Sequence, residues 1–186
     1  MKIQVLFVQG GGESAHDEWD NKLVDSLAAH LGSGYAVRYP RMPDEANPNY
    51  ARWKGALGEE LAKLNEGSVV VGHSLGGTIL VNALAESPPD CALGAIGLIA
   101  VPFVGPGGWP SEEIAPRSDL GASLPLGVPV LIYHGTKDET APVAHADLYA
   151  KVTPQARVRR LEGRDHQLNN DLAEVAADIL RLGRAG

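Results

Sequence analysis

The sequence predicts an α/β fold: a doubly wound, mainly parallel six-stranded sheet with helices on both faces. Two observations carry this. Short apolar runs alternate with longer segments whose apolar residues recur every three or four positions, the strand–helix order of a parallel sheet. The runs Val69-Val70-Val71 and Val130-Leu131-Ile132 are apolar without alternation, as strands covered on both faces require. A third observation sets the scale. The chain has 186 residues, of which 44% are hydrophobic and 21% charged, enough for one domain with a sizeable core. No repeat, low-complexity stretch or linker divides it, so residues 1–186 are read as a single domain.

The elements follow in order. Residues 2–8 (KIQVLFV) read as a strand. In 18–31, Trp19, Leu23, Leu27 and Leu31 fall four apart on one helix face. Residues 35–39 form a short strand closed by Pro40, and 41–49 (RMPDEANPN) a loop. A helix is expected over 50–64, with Trp53, Leu57, Leu61 and Leu64 on one face. Residues 68–72 are a strand, 75–86 a helix and 95–101 a strand. Residues 102–127 are rich in Pro and Gly and lack helical periodicity. Residues 128–134 are a strand, 142–151 a helix and 157–161 a short strand. The last helix spans 165–182, with Leu168, Leu172, Val175, Ile179 and Leu182 spaced for one face.

A formal net charge of −7 excludes a basic nucleic-acid footprint and gives no reason to dock on anionic lipid. Cys91 is the lone cysteine and has no internal disulfide partner, which points to a reducing, cytoplasmic setting. The N-terminal apolar run contains Gln4 and ends in glycines, so no signal peptide is expected. No apolar stretch reaches the roughly 18 residues of a membrane span.

Gly72-His73-Ser74-Leu75-Gly76 fits G-x-S-x-G between a strand and a helix. A serine there stands on a sharp turn that lifts its hydroxyl over the sheet edge, above the positive end of the helix dipole. The flanking glycines are needed because a Cβ would strike neighbouring backbone, and Gly77 lets the helix pack closely. A serine needs a base, and the base an orienting acid. Among six histidines, His30 and His145 read as solvated helix residues, His73 as pointing away within the turn, and His134 as packed at a strand end. His166, in the loop Gly163-Arg164-Asp165-His166 after the last strand, is the candidate base. Asp138, in the turn after 128–134, is the candidate acid. Its rivals are Glu139, the next residue, and Asp165, which reads more naturally as a cap of the last helix. Ser74, Asp138 and His166 then run in the chain order Ser, Asp, His. A developing oxyanion needs fixed donors. The N–H of Leu75 is one, and the loop Gln9-Gly10-Gly11-Gly12 offers the other, Gly11 first and Gly12 second.

On FVQGGG (7–12), GHSLGG (72–77), HGTKDETAP (134–142) and GRDHQ (163–167), in that order, the chain resembles the α/β-hydrolase-fold serine hydrolases over almost its whole length. Within them it looks like the small, lidless, esterase-like members. GGGESAHDEW (10–19) is also similar, less closely, to the retinoblastoma-binding-protein-type serine hydrolases. The chain departs from many members in carrying Gln9, not His, before the oxyanion glycines, and in lacking the N-terminal antiparallel strands of larger ones. The resemblance implies a minimal α/β-hydrolase fold and a triad cleaving a small-molecule ester or related acyl bond, without metal or cofactor. Candidate substrate-binding residues are His16 and Trp19 beyond the glycine loop, and Phe103 and Trp109 in 102–127. That segment is too short for a cap domain, which favours small acyl groups. Two other readings compete. Residues 10–15 fit G-x-G-x-x-A, a dinucleotide fingerprint, with Arg41 placed to meet a 2′-phosphate. A non-catalytic interaction protein on the same fold is the other.

Overall fold

A computed structural model describes residues 2–183. The expected domain of 1–186 also takes in Met1 and residues 184–186, which lie outside the described residues. The strands are β1 (Ile3–Val8), β2 (Tyr35–Arg38), β3 (Val69–His73), β4 (Ala95–Ile99), β5 (Val130–Gly135) and β6 (Ala156–Leu161). They form one six-stranded sheet in the order β2-β1-β3-β4-β5-β6. Every pairing is parallel, so the sheet is wholly and not just mainly parallel.

The helices divide between the two faces. α1 (Asn21–Leu31) and α6 (Ala173–Leu182) cover one, packing Leu23, Leu27, Val175 and Ile179 against Val5, Phe7 and Val71. α2 (Tyr50–Leu61), α3 (Ser74–Glu86) and α5 (Ala144–Val152) cover the other, with Trp53, Leu57, Leu80 and Tyr149 against Leu6, Val70 and Ile132. Val69, Val70 and Val71 are all buried because successive side chains enter opposite cores. α3 is buried along most of its length, since it lies under both α2 and the loop beyond β4. Asn49 caps α2 by accepting the N–H of Arg52. Among the described residues no helix is long and apolar enough to cross a membrane.

Several expectations are corrected. The helix read from 165 starts only at Ala173. Leu168, Asn169 and Asn170 all have positive φ, which breaks any right-handed helix there. Leu168 and Leu172 are nonetheless fully buried, so their spacing reported burial and not helix. Asp165 therefore caps nothing in α6; its carboxylate accepts the N–H of Asn169 instead. The helix read over 18–31 begins as a wide π-helical turn, Ala15–Asp20. The extra residue per turn rotates Trp19 off the apolar stripe, leaving it 52% exposed. α2 stops at Leu61, three residues early, although Leu64 is still buried. His145, expected in solvent, is buried under the loop after β4, where its Nδ1 accepts the N–H of Phe103. Residues 102–127 hold one short helix, α4 (Leu120–Ser123), and a single bridge between Val104 and Trp109.

Candidate active site

A parallel sheet brings the carboxyl ends of all its strands to one edge. There β3 passes directly into α3, and the junction residue Ser74 has φ of 50°. That left-handed conformation costs a non-glycine residue energy, so the surroundings must enforce it. They do so by close approach. A Cβ on Gly76 would stand 1.8 Å from the Gln9 carbonyl oxygen, and one on Gly72 would stand 2.5 Å from the Gly77 Cα.

The raised hydroxyl of Ser74 lies 2.9 Å from Nε2 of His166. Nδ1 of that ring lies 2.8 Å from Oδ2 of Asp138. The Asp138 side chain is sealed from solvent; its Oδ1 accepts the N–H groups of Thr140 and Ala141, both at 2.8 Å. His134 Nε2 approaches Oδ2 at 3.2 Å. Burial pushes the Asp138 carboxyl up, but the bonds from His134 and His166 outweigh it and hold the carboxyl well below the usual range. The rivals sit elsewhere: Glu139 is exposed, and Asp165 faces Asn169.

The glycine loop is less open than its sequence implies. Gly10 donates its N–H to Asp20 Oδ2 at 2.7 Å, and Gly12 donates to the Glu45 carbonyl at 2.6 Å. Gly12 is thereby removed as an alternative oxyanion donor. The N–H groups of Gly11 and Leu75 make no hydrogen bond among the described residues. These two residues adjoin: a Cβ built on Gly11 would be 3.1 Å from Leu75 Cδ2. The Gln9 side chain points away from this space. It is fully buried, accepts the Met42 N–H at 3.0 Å and donates to the Glu45 carboxylate. Glu45 also accepts the N–H of His16 at 3.0 Å, so the 41–49 loop clamps the glycine loop from above.

An open pocket of about 180 Å³ borders Ser74 and His166, walled by Gly11, Trp19, Thr140 and Gln167. Of the four substrate-binding candidates only Trp19 lines it. His16 instead stacks on Tyr39 at 4.1 Å, held there by the Tyr39 carbonyl and Asp17. Phe103 packs edge-on against Tyr149 and lines a separate cavity of about 290 Å³ with Pro106, Pro116 and Leu148. Trp109 packs edge-on against His145. The dinucleotide reading also loses its donors, since two of the three loop amides are engaged and Arg41 pairs with Asp17 and Glu45. No cluster of three or more His, Cys, Asp or Glu among the described residues is arranged to hold a metal. Sequence reasoning missed Asp20 and Glu45, whose partners lie far along the chain. His134 carried a usable sign, since it stands four residues before Asp138 across a tight turn.

The sequence pattern described as the Alpha/beta hydrolase family matches residues 5–183. No curated relative matches the chain. Among solved structures it is similar to the ydeN gene product of B. subtilis, with a TM-score of 0.77 at 19% identity, over 98% of this chain and 100% of that one. It is similar to the carboxylesterase CesB of Bacillus subtilis, with a TM-score of 0.67 at 15% identity, over 100% of this chain and 85% of that one. A lidless α/β serine hydrolase of Xanthomonas campestris gives 0.63 at 16% identity, over 98% and 81%.

Proposed function

The chain belongs to the alpha/beta hydrolase family, and we propose that it is a serine hydrolase that cleaves small carboxylic esters through an acyl-enzyme. The observation that carries this is the unbroken chain of contacts from Ser74 to His166 to Asp138, at 2.9 and 2.8 Å. Asp138, an anion at neutral pH, accepts a hydrogen bond from the Nδ1–H of His166 and so leaves Nε2 free to accept a proton. His166 takes the Ser74 proton as Oγ attacks the ester carbonyl. The N–H groups of Gly11 and Leu75 receive the developing oxyanion, with the N-terminus of α3 behind them. His166 then protonates the departing alcohol, and water releases the acid by the reverse sequence.

The small-substrate reading rests on the open pocket of about 180 Å³ and on 102–127, which supply no long lid helix. Each buried CH₂ is worth about 0.8 kcal/mol, so an uncovered slot stops gaining affinity after a few carbons. The names of two neighbours, a carboxylesterase and a serine hydrolase without lid, are in keeping with ester hydrolysis by a serine nucleophile. The free thiol at Cys91 suits a reducing compartment, and we assign the enzyme to the cytoplasm on that ground. The test is kcat/KM across p-nitrophenyl esters of increasing chain length. A maximum among the short acyl groups is expected, with loss of turnover in Ser74→Ala. A maximum among long chains, or activation at a lipid–water interface, contradicts it.

A further inference from the structure

At the edge of the same pocket stand two ionisable side chains that the mechanism above does not use. His73 and Asp20 are each 1% exposed. His73 Nδ1 lies 2.9 Å from Asp20 Oδ2, and its Nε2 lies 3.1 Å from the backbone carbonyl oxygen of His166. A carbonyl oxygen can only accept, so Nε2 carries a hydrogen. Asp20 is itself surrounded by donors: Oδ2 takes the Gly10 N–H at 2.7 Å and Oδ1 the Gln167 side-chain amide at 3.3 Å. A carboxylate so placed accepts on both oxygens, which puts a second hydrogen on His73, at Nδ1.

We infer that Asp20 and His73 form a buried ion pair whose role is to position both arms of the site. The inference rests on the serine-hydrolase reading. The carboxylate fixes Gly10, and with it the direction of the free N–H of Gly11. The imidazolium fixes the carbonyl of His166, and with it the ring that faces Ser74. Residues 10, 20, 73 and 166, each from a separate segment, are thereby tied at one point. Neither side chain touches the reacting atoms, so both are positioning residues.

The electrostatics agree. Burial alone would push His73 down, but the charge and bond of Asp20 outweigh it and raise the ring. Burial would push Asp20 up, and the charge and bond of His73 hold it low. The titratable groups facing His73 are Asp20, the His166 ring at 4.9 Å between centroids, and Asp138 beyond it. Removing one member leaves the other as an uncompensated buried charge or forces it neutral.

The test uses the full chain with p-nitrophenyl acetate, comparing the parent with Asp20→Asn, His73→Gln, the double variant and Ser74→Ala. Circular dichroism and Tm report on folding. Misplacing a donor or base by about 1 Å costs up to about 100-fold, so each single variant is expected to lose about 10- to 100-fold in kcat with KM little changed. The double variant should lose no more than the worse single, because the pair acts as one unit. In ¹⁵N-histidine-labelled parent, both nitrogens of His73 should remain protonated at pH 8, and one should lose its proton in Asp20→Asn. Folded variants with parental kcat overturn the positioning role. A His73 ring with one bare nitrogen in the parent at neutral pH overturns the ion pair, whether or not the variants fold. Turnover surviving in Ser74→Ala overturns the serine-hydrolase reading instead, and leaves the protonation result to decide the pair.

Discussion

Gly11 shows how one missing Cβ can set a site. Among the described residues its amide is the one in the glycine loop without a partner, and an added Cβ would stand 2.7 Å from Pro48 Cγ and 3.1 Å from Leu75 Cδ2. Gly11→Ala must therefore displace the glycine loop or Pro48 against it. Losing an oxyanion donor costs roughly 10²- to 10³-fold in kcat elsewhere, and a loss of about 10²-fold is expected, measured as kcat on a short ester. An unchanged kcat would remove Gly11 from the oxyanion site. The motifs that bear Ser74, Asp138 and His166 were legible at this scale because each is short and lies at a strand end, where the sheet brings the three side chains within hydrogen-bond distance. Asp20 was not, because nothing in HDEWD separates it from Asp17; its partner His73 is brought to it only by the fold. Glu45 was hidden for the same reason, its contacts reaching back to Gln9 and His16.

At the scale of elements, the segment between β6 and α6 deviates most from its sequence reading. Leu168, Leu172 and Val175 repeat at helical spacing, yet three consecutive left-handed residues carry the chain there. Asn169 and Asn170 are residue types that tolerate that conformation, and they were the available warning. Arg164 braces the segment by donating to the Leu168 carbonyl at 2.9 Å and to Asp171 and Glu174 at 3.0 and 3.2 Å. Arg164→Ala should free the stretch that bears His166. A loss of about 1 kcal/mol in stability is expected, in line with one net hydrogen bond at a partly exposed site. A larger fractional loss is expected in kcat, about tenfold, because the base is misplaced more than the fold is weakened. Paired denaturation and kinetic measurements check this; a stability loss with unchanged kcat would show that the brace is structural only.

The whole molecule was the most legible scale. Unalternating runs such as VVV reported strands buried on both faces, and the alternation of strand and helix reported a parallel sheet. The strand order β2-β1-β3-β4-β5-β6 and the clamp of the 41–49 loop were not legible, since both arise from pairings distant in sequence. The pH dependence of stability also belongs here. Asp138 and Asp20 are held low in the fold, so their contribution is present above the unfolded carboxylate value of about 3.9 and is lost as pH falls through the folded values. His73 is held high, so its contribution is complete below the unfolded value of about 6.5 and is lost as pH rises through the folded value. Chemical denaturation from pH 3 to pH 9 should show both declines. In His73→Gln the decline that begins near pH 6.5 should be reduced; an undiminished alkaline limb would place its origin in other groups.

Mass spectrometry of the protein after reaction with a fluorophosphonate tests most directly whether Ser74 is the nucleophile. One adduct is expected, on the peptide containing Ser74, with labelling abolished in Ser74→Ala and slowed at least about 10³-fold in His166→Ala, since triad members act as a unit. An adduct on another residue, or labelling that persists in a folded Ser74→Ala variant, would contradict it.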